Sequence, residues 1–255
     1  MFRKLFLVLA AVFLAGCGTM GAKELSPLAK SLEDRYGLAV VWVMAKYPDG
    51  TMAIKNGAIK PLDRKTSTGV SVGESRRHVW TVYHGIADDP LVKIYLFPGD
   101  GHRYEARVVW SDNKRDMALL LAEGPRPLPA SVLLAMKEPA TGEGVVSMGY
   151  PKDKWTVSDA VWGGNDSAYD NKTDNGSSGS PIFNSSGNVV ALKKTAGFAE
   201  FFFGDGIRVP RTVAVKFKTN YSDVVTVAEF CEAYGKCADF QATQATTVSA
   251  KTEEK

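Results

Sequence analysis

The chain has 255 residues, of which 45% are hydrophobic, and its formal net charge is +3 at neutral pH. This hydrophobic content is sufficient for a real core, and the length allows one large β domain or two small ones. The near balance of charge and the lack of a dense basic stripe argue against a nucleic-acid partner.

The N-terminal segment is typical of an exported protein. In "MFRKLFLVLAAVFLAGCG", two basic residues precede an apolar stretch that is too short to span a bilayer as a helix. We predict a signal peptide at 1–16. The box Leu14-Ala15-Gly16-Cys17 resembles the processing site of bacterial lipoproteins, which implies cleavage before Cys17 and lipid on its sulfur. An ordinary secretory signal is the alternative. Since Gly18, and no acidic residue, follows the cysteine, we expect anchoring to the outer membrane, facing the periplasm.

Residues 17–36 are predicted to be a lipid-anchored tether with some helical character, and from Leu38 onward the pattern is that of short strands. About six apolar segments precede the proline-rich connection "EGPRPLPAS" (123–131), and about six follow it. "TMAIKNGAI" is predicted as one strand, and "NVVALKKTA" and "AEFFFGDGIRV" as two. This spacing predicts an all-β fold of two six-stranded antiparallel barrels, at about 37–123 and 143–217.

The C-terminal part of the 37–240 domain has a different pattern. "YSDVVTVAEFCEAYG" predicts a helix at about 222–234, with Ser222 or Asp223 as its cap. Cys231 and Cys237 remain after Cys17 and would form a natural disulfide in an exported protein, two free buried thiols being the alternative. Residues 241–255 have no aromatic residue and predict a disordered tail.

The stretch "DNGSSGSPIFN" (174–184) is either a solvated loop or a rigid loop that presents Ser178 as a nucleophile. A serine hydroxyl needs a base, a carboxylate that orients the base, and N–H donors for the oxyanion. Gly176 allows its N–H to turn toward the same point as that of Ser178. His84 ends an apolar strand, and Asp116 leads another, although each alone is commonly structural. Their order, with the serine in the second barrel, predicts a cleft between the barrels.

These residues carry a resemblance to the chymotrypsin-like serine peptidases, over about 69–215. The segments that match are "TVYH" (81–84), "DMALL" (116–120) and "GSSGSP" (176–181), supported by "GYP" (149–151) and "GNVVAL" (187–192). The short bacterial branch, with periplasmic stress proteases and glutamyl endopeptidases, is the most similar. The resemblance implies that Ser178 attacks a peptide carbonyl, His84 is the base and Asp116 orients it. The N–H groups of Gly176 and Ser178 would form the oxyanion hole.

The chain departs from the family pattern around these residues. Tyr83 replaces a small residue or Asn before the histidine, Gly85 replaces Cys or Val after it, and Ser177 replaces Asp or Asn before the nucleophile. None of these changes removes a catalytic atom. They keep open a second hypothesis, a non-catalytic binding lipoprotein on the same fold. An esterase fits less well, because the α/β-hydrolase order is Ser, Asp, His on a parallel sheet.

In this family the strand after the nucleophile lines the pocket for the residue before the cut. Here that strand contains "KKTA" (193–196), and alternation places its two lysines on opposite faces. One of them could favour Asp or Glu in the substrate, unless both ammonium groups reach solvent. We name Lys172, Lys194, Thr195 and Ala196 as candidate substrate-binding residues. No metal or cofactor motif is apparent, so the expected partners are a peptide or protein substrate and the membrane.

Overall fold

The computed structural model describes residues 24–55, 58–86, 91–164, 167–169, 176–202 and 216–241. Within these ranges the chain is mostly β and ends in a short helix. Cys17, Lys172 and all of the predicted tail except Gln241 lie outside the described residues. None of the helices in the described ranges has the length and apolar character needed to cross a membrane.

The first half forms a closed antiparallel barrel of six strands, which confirms the first predicted barrel. Its strand order is β1-β4-β5-β8-β7-β6, and the barrel closes because β1 pairs with both β4 and β6. The strands are β1 (Val40–Lys46), β4 (Arg64–Val72), β5 (His78–Thr81), β6 (Lys93–Phe97), β7 (Tyr104–Asp112) and β8 (Met117–Ala122). Alternate residues, such as Val41, Val43, Leu96 and Leu120, fill one hydrophobic cluster, as expected for strands with one buried face.

A two-stranded sheet stands beside this barrel, where one strand was predicted. β2 (Met52–Lys55) and β3 (Ala58–Pro61) pair antiparallel, with Ile54 opposite Ile59. The prediction of a single strand over "TMAIKNGAI" was therefore wrong. Its Asn-Gly pair is the commonest signal for a two-residue hairpin turn and separates two short strands.

The second half forms an antiparallel sheet of six strands in the order β10-β11-β14-β13-β12-β9. These are β9 (Gly144–Gly149), β10 (Thr156–Gly164), β11 (Ser167–Tyr169), β12 (Pro181–Phe183), β13 (Val189–Phe202) and β14 (Lys216–Thr226). β9 pairs with both β12 and β10. β13 is continuous where two strands were predicted, and β14 extends past the predicted boundary at 217. The largest hydrophobic cluster joins both sheets, through residues such as Trp80 and Phe183.

Residues 27–36 are an ordered helix, α1 (Pro27–Tyr36), which corrects the prediction of a tether over this part of the chain. The hydroxyl of Ser26 caps the helix by accepting a hydrogen bond from the N–H of Ala29, and it also donates to Asp159 of β10. Ala29 and Leu32 are fully buried in the cluster between the sheets. This helix therefore belongs to the folded domain, because its apolar face closes one side of the main core.

The C-terminal helix α2 (Val227–Tyr234) begins five residues later than predicted. Thr226, and neither Ser222 nor Asp223, is the cap: its side chain accepts from the N–H of Glu229, whose carboxylate accepts from the N–H of Thr226. This reciprocal pair is a capping box. The predicted disulfide between Cys231 and Cys237 is confirmed and ties the end of this helix to the following turn.

Candidate active site

His84 and Asp116 meet at one end of the first barrel. β5 ends at Thr81, and a single turn of 3-10 helix (Tyr83–Gly85) turns the histidine toward the start of β8. The Asp116 carboxylate accepts two hydrogen bonds, from Nδ1 of His84 (2.7 Å) and from the N–H of His84 (2.8 Å). With the Nδ1 proton assigned to this bond, Nε2 carries the free lone pair of the neutral imidazole. The pair can therefore act as an oriented base.

The exposure of the two side chains suits these roles. The Asp116 side chain is 14% exposed, whereas the His84 side chain is 49% exposed. Asp116 also has a left-handed backbone with φ of 61°, an unusual conformation for a residue with a Cβ. A turn before it is held by Asp112, whose carboxylate accepts from the N–H groups of Lys114 and Arg115. The Arg115 bonds hold the pKa of the Asp112 carboxyl below its usual range.

The space around Gly85 excludes the larger residue that the family pattern has after the histidine. A Cβ at this position would lie 2.5 Å from both Cβ and Oγ of Ser67, on β4 of the same barrel. Any side chain would push the His84 turn away from β4. The departure from the family pattern at Gly85 is thus accommodated by a close backbone approach.

The loop that carries Ser178 is rigidly held, which answers the question raised by its composition. The first barrel holds it through Thr68, whose N–H donates to the Ser178 carbonyl (2.8 Å) and whose hydroxyl donates to the Gly176 carbonyl (2.9 Å). The second sheet holds it through Lys193, whose carbonyl accepts from the N–H of Gly179 (2.7 Å). Three hydrogen-bonding groups on two different strands therefore fix this short segment.

The two glycines of the loop are required by their surroundings. Gly176 and Gly179 have φ of 88° and 84°, a region that only glycine adopts without strain. A Cβ on Gly176 would lie 2.6 Å from the Tyr150 carbonyl oxygen, and one on Gly179 would overlap the Thr68 carbonyl. The chain therefore turns where no side chain fits. In the described part of the chain, the N–H groups of Gly176 and Ser178 donate to no other group.

Adjacent residues of β4 connect the two parts of the site. Ser67 contacts Gly85 beside the histidine, while Thr68 bonds the Ser178 loop. The Thr81 hydroxyl, at the end of the strand that leads to His84, donates to the Thr68 carbonyl (2.7 Å). The structure thus places the serine loop beside the strand that carries the histidine turn. Among the described residues, no hydrogen bond joins the Ser178 hydroxyl to His84.

The two lysines of β13 differ in burial, and the pairing of β13 with β14 is irregular between Lys193 and Thr195. Lys193 is 3% exposed, whereas Lys194, the lysine named as a candidate substrate-binding residue, is only half-buried, so Lys193 is the more deeply buried of the two. Thr195 and Ala196 continue β13, and the structure does not describe their side chains. Burial lowers the pKa of the Lys193 ammonium to about 7. No group of three potential metal ligands occurs among the described residues.

Sequence reasoning missed Thr68, whose hydroxyl also accepts from the N–H of Tyr150 (3.0 Å). The available signal was the run of small polar residues, "STG" (67–69), inside a strand that is otherwise buried. Side chains of this size let the backbone of another segment approach closely. Such a run inside a strand favours a close contact with another segment. Here that segment is the loop of Ser178.

Comparison with known proteins agrees with this geometry. Residues 67–192 match the family model described as "Trypsin-like peptidase domain". Among solved structures, the serine endoprotease from Yersinia pestis is 20% identical with a TM-score of 0.53, and the match covers 68% of this chain and 59% of that one. The inactive form of the Rv3671c protease is 19% identical with a TM-score of 0.57, over 84% of this chain and 98% of that one.

At these identities the likeness to solved structures concerns the fold, and no curated protein gives a significant sequence match. The family match spans the segments that carry His84, Asp116 and Ser178, together with the strand that holds Lys193. The chain therefore carries a trypsin-like peptidase domain at residues 67–192.

Proposed function

We propose that the chain is a serine endopeptidase in which Ser178 is the nucleophile, His84 the general base and Asp116 the residue that orients it. The observation that carries the proposal is the doubly bonded Asp116–His84 pair beside a rigid loop that presents a serine. A carboxylate that accepts hydrogen bonds from both the main chain and the ring of a histidine fixes the orientation of the imidazole. An ordinary surface ion pair makes only one such contact and does not fix it.

In the proposed reaction, Nε2 of His84 takes the proton of the Ser178 hydroxyl as Oγ attacks the peptide carbonyl. Asp116 stabilises the imidazolium without taking its proton. The tetrahedral intermediate collapses when His84 gives this proton to the leaving amine, and an acyl-enzyme remains on Oγ. Water then repeats the sequence, with His84 as its base, and releases the acid and the free serine.

The N–H groups of Gly176 and Ser178 serve as the oxyanion hole. Both are free of other acceptors among the described residues, and the hydrogen bonds of Thr68 hold their backbone in place. One such donor typically contributes roughly 3–4 kcal/mol to the stability of the transition state. No hydrogen bond joins Ser178 to His84 among the described residues. This is compatible with the mechanism, because catalytic hydrogen bonds are often long in the free enzyme and tighten when substrate binds.

We further propose that the protein is exported and anchored by lipid at Cys17. The disulfide between Cys231 and Cys237 supports export, because structural disulfides persist in oxidising compartments. Metabolic labelling with palmitate tests the anchor: we expect lipid on the wild-type protein and none on Cys17→Ser. Labelling of both proteins, or of neither, would contradict the anchor while leaving the peptidase proposal intact.

Fluorophosphonate labelling, read by intact mass, tests the peptidase. We expect one adduct on the wild-type protein, none on Ser178→Ala, and strongly reduced labelling on His84→Ala. Ser185→Ala, at an exposed serine a few residues further along the chain, is the matched control and should label like the wild-type protein. A folded wild-type protein that forms no adduct would exclude an activated serine and would favour the alternative, a binding lipoprotein on the same fold.

A further inference from the structure

The interior of the second sheet contains a polar layer that the proposed mechanism does not use. Ser147, Ser158, Ser180 and Lys193 are between 1% and 6% exposed. Three serines and a lysine are unusual contents for the inside of a small β-sheet, because buried polar groups are costly unless they are bonded. Within the layer, the hydroxyls of Ser147 and Ser180 call for an explanation, because they have no hydrogen-bond partner among the described residues.

The register of the strands places these side chains on one face. Ser147 lies opposite Ile182, and Ile182 lies opposite Ala191. Lys193 is two residues beyond Ala191, and its N–H donates to the carbonyl of Ser180 (2.9 Å), which makes Ser180 its cross-strand neighbour. Directly opposed residues, and residues two apart on one strand, share a face. Ile182 and Ala191 belong to the hydrophobic cluster on this inner face.

The chemistry of the layer is that of hydrogen-bond donors. The hydroxyls of Ser147 and Ser180 are buried and make no hydrogen bond among the described residues. A lysine ammonium can only donate, and a hydroxyl without an acceptor has a proton to give. Buried polar atoms without partners are rare in native proteins, so each unpaired hydroxyl is available to a bound acceptor, whether a buried water or a ligand. Two hydroxyls and an ammonium on one face of the sheet are the kind of donors that the two oxygens of a carboxylate accept from.

The layer lies next to the nucleophile. Ser180 follows Ser178 by two residues, so their Cα atoms are at most about 7 Å apart. The carbonyl of Lys193 accepts from the N–H of Gly179, between these two serines. Lys193 and Ser180 are therefore the members of the layer that adjoin the loop of Ser178. The low pKa of Lys193, caused by burial, means that an anion placed beside it would restore its charged form.

We propose that Lys193, together with Ser147 and Ser180, binds the side-chain carboxylate of the substrate residue whose carbonyl Ser178 attacks. The site thus selects Asp or Glu at that position, and the inference rests on the proposed peptidase activity. Lys193 is the residue that determines specificity, and the two hydroxyls orient the carboxylate.

The test uses the purified full chain and peptides that differ only in the residue before the cut: Glu, Gln or Lys. We expect the wild-type protein to prefer Glu over Gln by at least about tenfold in kcat/KM, since a charge-assisted hydrogen bond is stronger than a neutral one. Lys193→Met removes the charge at similar length and should abolish the preference. Ser147→Ala, which lies outside the nucleophile loop, should reduce it and remains informative if Lys193→Met does not fold.

Fluorophosphonate labelling of each protein distinguishes the failure of this inference from the failure of the peptidase proposal. A protein that is labelled at Ser178 but cleaves the Glu and Gln peptides equally would overturn the acidic preference and leave the peptidase in place. A preference that survives in Lys193→Met and disappears in Lys194→Met would also overturn the inference, because it would assign recognition to the neighbouring lysine. Absence of labelling in the wild-type protein would overturn both.

Discussion

The buried position of Lys193 predicts a specific dependence of stability on pH. Its pKa falls from an ordinary value near 10.5 to about 7 because burial disfavours the ammonium. Between these values the unfolded chain binds the proton and the folded chain does not. The free energy of unfolding therefore rises with pH across this window. Above the upper value both states are neutral, and below the lower value both are charged and the penalty is constant.

The magnitude follows from the two pKa values. A tenfold change in proton activity corresponds to about 1.4 kcal/mol for each proton released. Between pH 7 and pH 9 we expect Lys193 alone to raise the free energy of unfolding by about 2 kcal/mol, because the folded-state lysine is half protonated at pH 7 and releases its proton over this interval. Lys193→Met should lack this rise and should be the more stable protein near pH 7, as often happens when a buried polar group is replaced by an apolar one of similar volume.

Urea unfolding at pH 7, 8 and 9 measures this effect, with Ser178→Ala in every protein to prevent self-digestion. All other titrating groups are common to the proteins compared, so the difference between Lys193 and Lys193→Met isolates the lysine. Lys194→Met, at the half-buried neighbouring lysine, is the matched control and should follow the parent protein. An equal rise with pH in the parent and in Lys193→Met would refute the reasoning, because it would mean that Lys193 is charged in the folded state at pH 9.

Three further predictions concern the site and its support. Asp116→Asn should fold normally but lower kcat by roughly 10³–10⁴, since the amide favours the wrong tautomer of His84; peptide hydrolysis measures it, and a loss under tenfold would contradict the role. Gly179→Ala should not be labelled by fluorophosphonate, and its free energy of unfolding, measured in urea, should fall by more than about 1 kcal/mol. The reason is that the added Cβ would overlap the Thr68 carbonyl. The double variant Cys231→Ser, Cys237→Ser should lower the free energy of unfolding by about 2–3 kcal/mol in urea, because the disulfide restricts the unfolded chain. A double variant as stable as the wild-type protein would contradict this stabilising role.

The parts of the fold that sequence patterns predicted are those with strong alternation. β1 alternates between buried and less buried residues over most of its length, and β8 is apolar throughout. The barrel that contains both strands was predicted. The helical character of α1 was predicted, but its packing on the core was not. Only two of its ten residues, Ala29 and Leu32, are buried, and so narrow an apolar stripe does not distinguish a packed helix from a tether. The start of α2 had a readable signal in Thr226 and Glu229, whose spacing is that of a capping box.

The candidate site shows the same division between local and tertiary information. The positions of His84, Asp116 and Ser178 follow from short motifs and their order in the chain. The choice between the two lysines of β13 does not, because alternation separates them without saying which face is inward. That answer comes from the register of β12 against β13, which places Lys193 opposite Ser180 and hence inside the sheet. Pairing of distant strands is not encoded in any local pattern.

Thr68 connects the two sheets at the site and holds three of its segments together. Its hydroxyl donates to the Gly176 carbonyl while accepting from the Tyr150 N–H, and its carbonyl accepts from Thr81. One residue of the first barrel therefore fixes the nucleophile loop, the turn after β9 and the strand that leads to His84. Because these bonds cross between the sheets, the alignment of Ser178 with His84 depends on how the two sheets pack. The hydrophobic cluster that joins the sheets, with α1 and α2 against it, thus supports the geometry of the site as well as the stability of the fold.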